Sequence, residues 1–353
     1  MSAKLLWPWD ARAPDRFQSI QALRGIAVLL VVIYHAKTTA LGEVLFHLPI
    51  VQDYGYIGVR LFFVISGFII ADRLPFAPSY RAFFLRRYLR IFPLYALATL
   101  TALLLAHNHG GTLFTTPVTE TGRPFDPGPF YFVKSLLIIP QDAWPYLAVG
   151  WSLEFEIVFY ALFGFLYFAL GWAWASSVFI LLCVYLWDTG GLGLIDSLTM
   201  FLYFSAGIIA RLWLSFSSSS IPPVILAFLG FAYTLYEMQT GLSRNFVPAT
   251  SLGFAGTLVF LVQMERTRNW FQKRNWLVVL GDMSFALYLT HYLFIVAASV
   301  PFLAIELSPL QAEGVRLAFV LISIFAGYLV WFLLERPINR LVHELTRFQP
   351  KRS

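Results

Sequence analysis

The chain has 353 residues, of which 59% are hydrophobic and only 12% charged. Soluble domains average about 25% charged residues, so the composition excludes an ordinary soluble enzyme and points to a chain that spends its length crossing a bilayer. The net charge of +6 calls for no nucleic acid, because the cytoplasmic loops of membrane proteins collect Lys and Arg, and the single cysteine, Cys183, excludes an internal disulfide.

In chain order, residues 1–19 carry mixed charge and two prolines and read as a retained cytoplasmic arm rather than a cleaved signal peptide. Ten apolar runs follow, at 20–38, 57–72, 90–106, 147–170, 172–187, 195–212, 221–237, 249–264, 277–298 and 314–334. Each is read as a crossing helix, giving an all-α polytopic transmembrane bundle of about ten spans. The run 130–139 is too short to span, contains Lys134, and reads as an interfacial or re-entrant helix. Gly171 has to serve as a very tight turn between the fourth and fifth runs, and Ser217–Ser220 reads as a polar turn. With the N-terminus inside, 19 of the 25 Lys and Arg fall on the cytoplasmic side, which favours cytoplasmic termini and an even number of spans. No internal repeat or soluble appendage is visible. The expected organisation is one membrane domain over 1–353, with its bundle at 20–335 and a basic cytoplasmic tail at 336–353.

The first run, SIQALRGIAVLLVVIYHA, holds two ionisable residues, Arg24 and His35. Eleven residues is roughly three turns at ~3.6 residues each, so both lie on one helix face, ~16 Å apart along the axis. Ionisable groups inside a membrane helix are costly and face the protein interior, which makes this face a functional candidate. His291 reaches a similar depth in the ninth run; it is a second site candidate or a core histidine. In GWSLEFEIVFY, Ser152, Glu156 and Tyr160 recur at i, i+4 and i+8 and form one stripe, while Glu154 points elsewhere. Arg86, Arg87 and Arg90 form a basic cluster just ahead of the third run. In the second run, Gly58, Ser66 and Gly67 are small enough for close helix packing, and Arg60 is a cation near its outer end. No phosphate-binding loop, dinucleotide motif or metal-ligand cluster is visible.

Six pieces occur in order: LRGIAVLLVVIYHA, YIGVRLFFVISGFII, FLRRYLRIFPLY, GWSLEFEIVFY, SFALYLTH and the ERP of Glu335–Pro337. Together they resemble the acyltransferase-3 family of integral membrane acyltransferases over almost the whole chain. The resemblance implies transfer of an acyl group, acetyl above others, from cytoplasmic acyl-CoA to a hydroxyl, usually on an envelope or exported polysaccharide. It makes His35 the catalytic residue, as a base that takes the hydroxyl proton or as a nucleophile that forms an acyl-imidazole. It selects Glu156 as the shared acid, which would orient the imidazole or stabilise its charge. Arg87 and Arg90 match the family's arginine pair. With Arg86 and Arg24 they are expected to hold the phosphates of acyl-CoA, or to act as a juxtamembrane anchor. Ser152, Tyr160, His291 and Arg60 are expected to line or support the site. Arg60 stands where many relatives carry an acid. Structural capping is the reading for Glu335. The long loop 107–146 offers Phe125, Trp144 and Tyr146 for sugar stacking, or as an interfacial aromatic belt. The partners implied are acyl-CoA, a glycan acceptor and membrane lipid. A transporter or flippase for lipid-linked sugars is the alternative that intramembrane charge and ten spans would equally fit.

Overall fold

The computed structural model describes residues 17–37, 41, 44, 53–108, 129–141, 143–188, 200–219, 221–240, 246–268 and 275–346. Most of the N-terminal arm, residues 109–128 of the long loop with Phe125, the glycine-rich lead into the sixth run and the end of the basic tail lie outside the described residues. The regular elements described are all helical: α1 (Gln18–Ala36), α2 (Ile57–Arg73), α3 (Tyr80–Asn108), α4 (Pro129–Leu136), α5 (Trp151–Leu170), α6 (Trp172–Asp188), α7 (Phe201–Phe216), α8 (Ile221–Thr240), α9 (Phe246–Arg268), α10 (Trp276–Asp282), α11 (Ser284–Ser299), α12 (Pro309–Val330) and α13 (Arg336–Leu345).

Among the described residues, five helical stretches are long and apolar enough to cross a bilayer: Gln18–Ala36, Tyr80–His107, Ala148–Leu170, Ser284–Phe302 and Pro309–Leu345. Three shorter apolar helices accompany them, Trp172–Tyr185, Phe201–Phe216 and Ile221–Tyr236. Large apolar side chains such as Leu104, Phe228 and Leu321 remain exposed on these helices. Lipid tolerates such a surface and water does not. The protein is a polytopic all-α membrane bundle.

Several helices begin or end away from the apolar runs, and local chemistry explains the differences. The third helix starts at Tyr80 rather than near 90 because Ser79 Oγ accepts from the Ala82 amide at 3.2 Å and caps it. The basic cluster therefore lies inside α3, not ahead of it. The tenth run starts at Pro309 rather than 314, behind a capping box made by Ser308 and Gln311. The ninth run is broken at Met283 into α10 and α11. After α12 the helix widens into a π-turn over Trp331–Glu335 before Pro337, which has no amide to donate. The start of the expected basic tail is α13, a helix. Gly171 takes a φ of 76°, so the tight turn between α5 and α6 falls where expected.

The chain divides into two compact units. The first comprises Met1–Gly25, Val59–Phe84 and Val158–Gly281. Its core is a file of phenylalanines: Phe63 stacks on Phe204 at 4.7 Å and Phe204 on Phe159 at 4.2 Å. Phe159 in turn lies 5.6 Å from Phe163. The buried pair of Arg211 and Asp72, 2.7 Å apart, ties α7 to the end of α2. Glu265 on α9 caps the start of α1, accepting from the amides of Gln18 and Ser19 at 2.8 and 2.9 Å.

The second unit comprises Ile26–Gly58, Leu85–Ile157 and Asp282–Ser353. It holds the His35 half of α1, most of α3, the start of α5, and α11 to α13. Arg316 on α12 bonds Glu313 at 2.8 Å and the Leu41 carbonyl at 3.1 Å, holding the chain that leaves α1. Gly58 at the start of α2 lets the two helices touch backbone to backbone, since a Cβ there would strike the Ala27 carbonyl and sit 3.0 Å from Val31 Cγ2. Gly58→Val is therefore expected to cost about 1–3 kcal/mol by overpacking and to lower the thermal unfolding midpoint of the purified protein. A variant that melts with the wild type would show that α1 and α2 part freely here.

Candidate active site

The His35 ring sits one residue from the end of α1, half-buried, and His291 on α11 lies fully buried behind it. Each imidazole is tied to its own helix. His35 Nδ1 lies 3.0 Å from the Val31 carbonyl, and His291 Nδ1 lies 3.0 Å from the Leu287 carbonyl. A carbonyl can only accept, so each Nδ1 carries the proton. His291 Nε2 then has a lone pair, and it stands 3.1 Å from His35 Nδ1. The His35 Nδ1–H is shared between Val31 and His291. By elimination the lone pair of His35 is on Nε2, for which the described residues supply no hydrogen-bond partner. An imidazole held in one tautomer with a basic nitrogen free is equipped to take a proton.

The helix that carries His291 is fixed at its start. Residues 284–287 contain no acid to meet the exposed amides of the first turn, and Glu335 supplies one from the end of the π-turn. Its Oε2 accepts from the Ala286 amide at 3.1 Å. Glu335 is buried. The ERP triplet is thus a helix cap delivered through space, favourable also because a carboxylate meets the positive end of a helix.

Behind His291 a polar path reaches α5. The Tyr288 and His291 rings lie 5.8 Å apart. The Tyr288 hydroxyl donates to the Val149 carbonyl at 2.8 Å and meets Ser152 Oγ at 2.9 Å. Glu156 lies one turn beyond Ser152 on α5. SFALYLTH and GWSLEFEIVFY, 136 residues apart at this bond, therefore meet in one place. Glu154 is the more deeply buried of the two acids.

Other expected site residues have different surroundings. Arg86 Nη2 donates to the Thr346 carbonyl at 2.8 Å, and Nε to its hydroxyl at 3.3 Å, so this fork closes the end of α13. Arg87 is half-buried and Arg90 exposed, one turn apart on α3. Arg24 is half-buried in the first unit. Arg60, also in that unit, lies over the Tyr203 ring at 5.7 Å, and Tyr160 meets Ser66 Oγ at 3.3 Å. Among the loop aromatics, Trp144 packs on Trp151 at 6.3 Å, and the Tyr146 amide donates to Ser135 Oγ at 3.0 Å. Among the described residues no three His, Cys, Asp or Glu side chains gather as metal ligands. Sequence reasoning missed Tyr288 and Tyr292, although SFALYLTH and the residue after it contain both. Tyr292 lies 5.3 Å from the His35 ring.

Comparison with known proteins agrees with the motifs. Residues 17–336 match the family model described as an acyltransferase domain. The chain is 31% identical over 302 residues to the exopolysaccharide production protein ExoZ of Rhizobium meliloti, covering 81% of this chain and 90% of that protein. It is 25% identical over 371 residues to the acyltransferase MdmB of Streptomyces mycarofaciens, covering 93% and 92%. A shorter likeness, 32% over 172 residues, links it to protein 2 in the picA locus of Rhizobium radiobacter, covering 42% of this chain and 82% of that one. No solved structure matches the chain significantly. The ordered motifs around the paired histidines and a family match spanning nearly every helix lead to one classification: the chain belongs to the acyltransferase-3 family of integral membrane acyltransferases.

Proposed function

We propose that the protein moves an acetyl group from cytoplasmic acetyl-CoA to a hydroxyl of an envelope or exported polysaccharide, with His35 as the base. The observation that carries this reading is the 3.1 Å contact between His291 Nε2 and His35 Nδ1, which leaves the opposite nitrogen of His35 basic. A relative named for exopolysaccharide production supports the choice of acceptor.

In the proposed step, His35 Nε2 takes the acceptor's hydroxyl proton as the oxygen attacks the thioester carbonyl. The C–S bond breaks, CoA leaves as a thiolate, and the proton on Nε2 passes to it. The products are an ester and free CoA, and the imidazole is restored. While His35 is protonated, its Nδ1–H bond to His291 becomes charge-assisted. His291 thus fills the place that a carboxylate holds in a hydrolase triad, with the difference that it brings no negative charge. Tyr288, Ser152 and Glu156 hold α11 and α5 together behind it. We further assign Arg87 and Arg90 to the CoA phosphates, while Arg24 holds its helix in register and Arg60 and Tyr160 support the first unit. Arg86 is given a structural part, because Thr346 occupies its fork. We also propose the ten spans counted from the apolar runs, with both termini cytoplasmic as the Lys and Arg distribution favours.

The experiment is transfer of labelled acetyl from acetyl-CoA to polysaccharide by the purified protein in lipid nanodiscs, with free CoA measured as a thiol. A transporter would release none. His35→Ala should insert and fold yet lose transfer by about 10²–10⁴-fold, the usual worth of a positioned base; full transfer by this variant would refute the catalytic assignment. His291→Phe, which keeps the volume and removes the acceptor nitrogen, should lower kcat by about 10–100-fold, since hydrogen bonds to charged groups contribute about 1.5–3 kcal/mol. His291→Gln, whose Oε1 can still accept from His35, should recover part of that loss; equal rates for the two variants would reduce His291 to a packing role. Arg87→Ala with Arg90→Ala should raise the KM for acetyl-CoA and leave kcat nearly unchanged. An unaltered donor KM would return both residues to topology alone.

A further inference from the structure

Tyrosine rings form a continuous file from His35 into the turn that precedes α2. The His35 ring lies 5.2 Å from Tyr34, Tyr34 lies 5.8 Å from Tyr56, and Tyr56 lies 6.2 Å from Tyr54. Tyr292 stands on another side of the same imidazole, 5.3 Å away. Successive rings are steeply inclined, by 75°, 77° and 51°, so the file is a stepped wall of faces and edges rather than a closed stack. Tyr34, Tyr54 and Tyr56 are only half-buried. The wall is held to the His35 helix by an ion pair, Lys37 with Asp53, at 2.5 Å. Lys37 follows His35 by two residues and Asp53 precedes Tyr54, and their side chains are 40% and 31% exposed, so both can still bond a ligand.

An interfacial aromatic belt scatters rings around a bundle, each with its body in lipid and its hydroxyl at the headgroups. This wall is different: its rings follow one another in contact, it ends on the His35 imidazole, and it carries a cation and a carboxylate at its rim. Aromatic faces for an apolar surface, with a few fixed charges to orient hydroxyls, suit a ligand that is apolar on one face and polar around its edge. A pyranose ring has that character.

We propose that Tyr34, Tyr54 and Tyr56, rimmed by Lys37 and Asp53, form the subsite that seats the acceptor's sugar ring beside His35. The proposal rests on the acyl-transfer reading above for the presence of an acceptor. It assigns that acceptor to pyranosides with an unhindered apolar face, such as β-glucosides, whose C1, C3 and C5 hydrogens share one side. The loop aromatics Trp144 and Tyr146 are not needed for it, since the first packs on Trp151 and the second is held at Ser135.

The test separates binding from chemistry. Cellobiose is titrated onto the full chain in nanodiscs without donor and followed by saturation-transfer NMR, with glycerol as a polyol that has no ring face. Saturation is expected to concentrate on the C1, C3 and C5 hydrogens, with none on glycerol. Tyr54→Leu combined with Tyr56→Leu should weaken binding by about tenfold or more, while Tyr56→Trp should stay within about threefold of the wild type. His35→Ala should bind cellobiose like the wild type and fail to acylate it. Absence of saturation in the wild type, or equal affinity in the double leucine variant, would overturn the subsite. If that variant does not fold, Tyr56→Trp decides: retained affinity upholds the wall, and loss of binding overturns it. Wild-type binding without acyl transfer to any glycan would instead refute the transfer reading and leave the sugar site standing.

Discussion

One hydrogen bond between two imidazoles, from positions 256 residues apart in sequence, fixes what the second unit can do. Neither ring can turn to use its other nitrogen without giving up a carbonyl on its own helix, Val31 for His35 and Leu287 for His291. The tautomers are therefore set by backbone geometry, and the lone pair left over is on the half-buried ring rather than the sealed one. In the proposed reaction the reactive nitrogen has to be reachable, while its orienting partner is better kept from water. The burial of the two histidines follows that division.

The bond lasts only if α1 and α11 are held in register, and both are anchored in the same way. Neither helix has an acid in its own first turn. Each takes a carboxylate from a distant segment instead: Glu265 at the start of α1 and Glu335 at the start of α11. An amide left unpaired in an apolar bundle is costly, so a carboxylate that satisfies it also fixes the axial position of the whole helix. Along α11 that position is carried to His291 within the second unit. Small residues and ion pairs complete the register. Gly58 sets α2 against α1, and Arg316 holds the chain beyond α1 through the Leu41 carbonyl.

Much of this was legible in the sequence because it resides in local chemistry. The shared face of Arg24 and His35 along α1 and the tight turn at Gly171 could be read from residue type and spacing, whereas Glu335, expected to close its own span, caps the start of α11 instead. Two helix starts were misplaced for a common reason. A search for apolar runs gives weight to hydrophobicity, whereas Ser79 and Ser308 begin helices by accepting amide hydrogens, and charge inside the first turns does not prevent it. The two acids of GWSLEFEIVFY show a different limit. Spacing correctly separated Glu154 from Glu156 onto different faces, but burial depends on what packs against each face. The Tyr288–Ser152 bond, which joins two motifs, is a tertiary fact that no window along the chain contains.

The cations show how a single motif can divide its labour. Arg86, Arg87 and Arg90 sit within five positions on one helix, and a sequence pattern treats them alike. Successive residues on a helix point about 100° apart, so Arg86 and Arg87 cannot address the same partner, while Arg87 and Arg90 can. The structure uses Arg86 to close the carbonyl end of α13, where a cation also meets the negative end of the helix. That contact makes α13, rather than a free basic tail, the continuation of α12. It also leaves a pair one turn apart, with a spacing suited to an extended anion such as a diphosphate. The same principle governs the histidines and the acids: in an apolar bundle each polar group is placed by the one partner it can reach. The proposed chemistry falls to a group whose geometry leaves an atom over, Nε2 of His35.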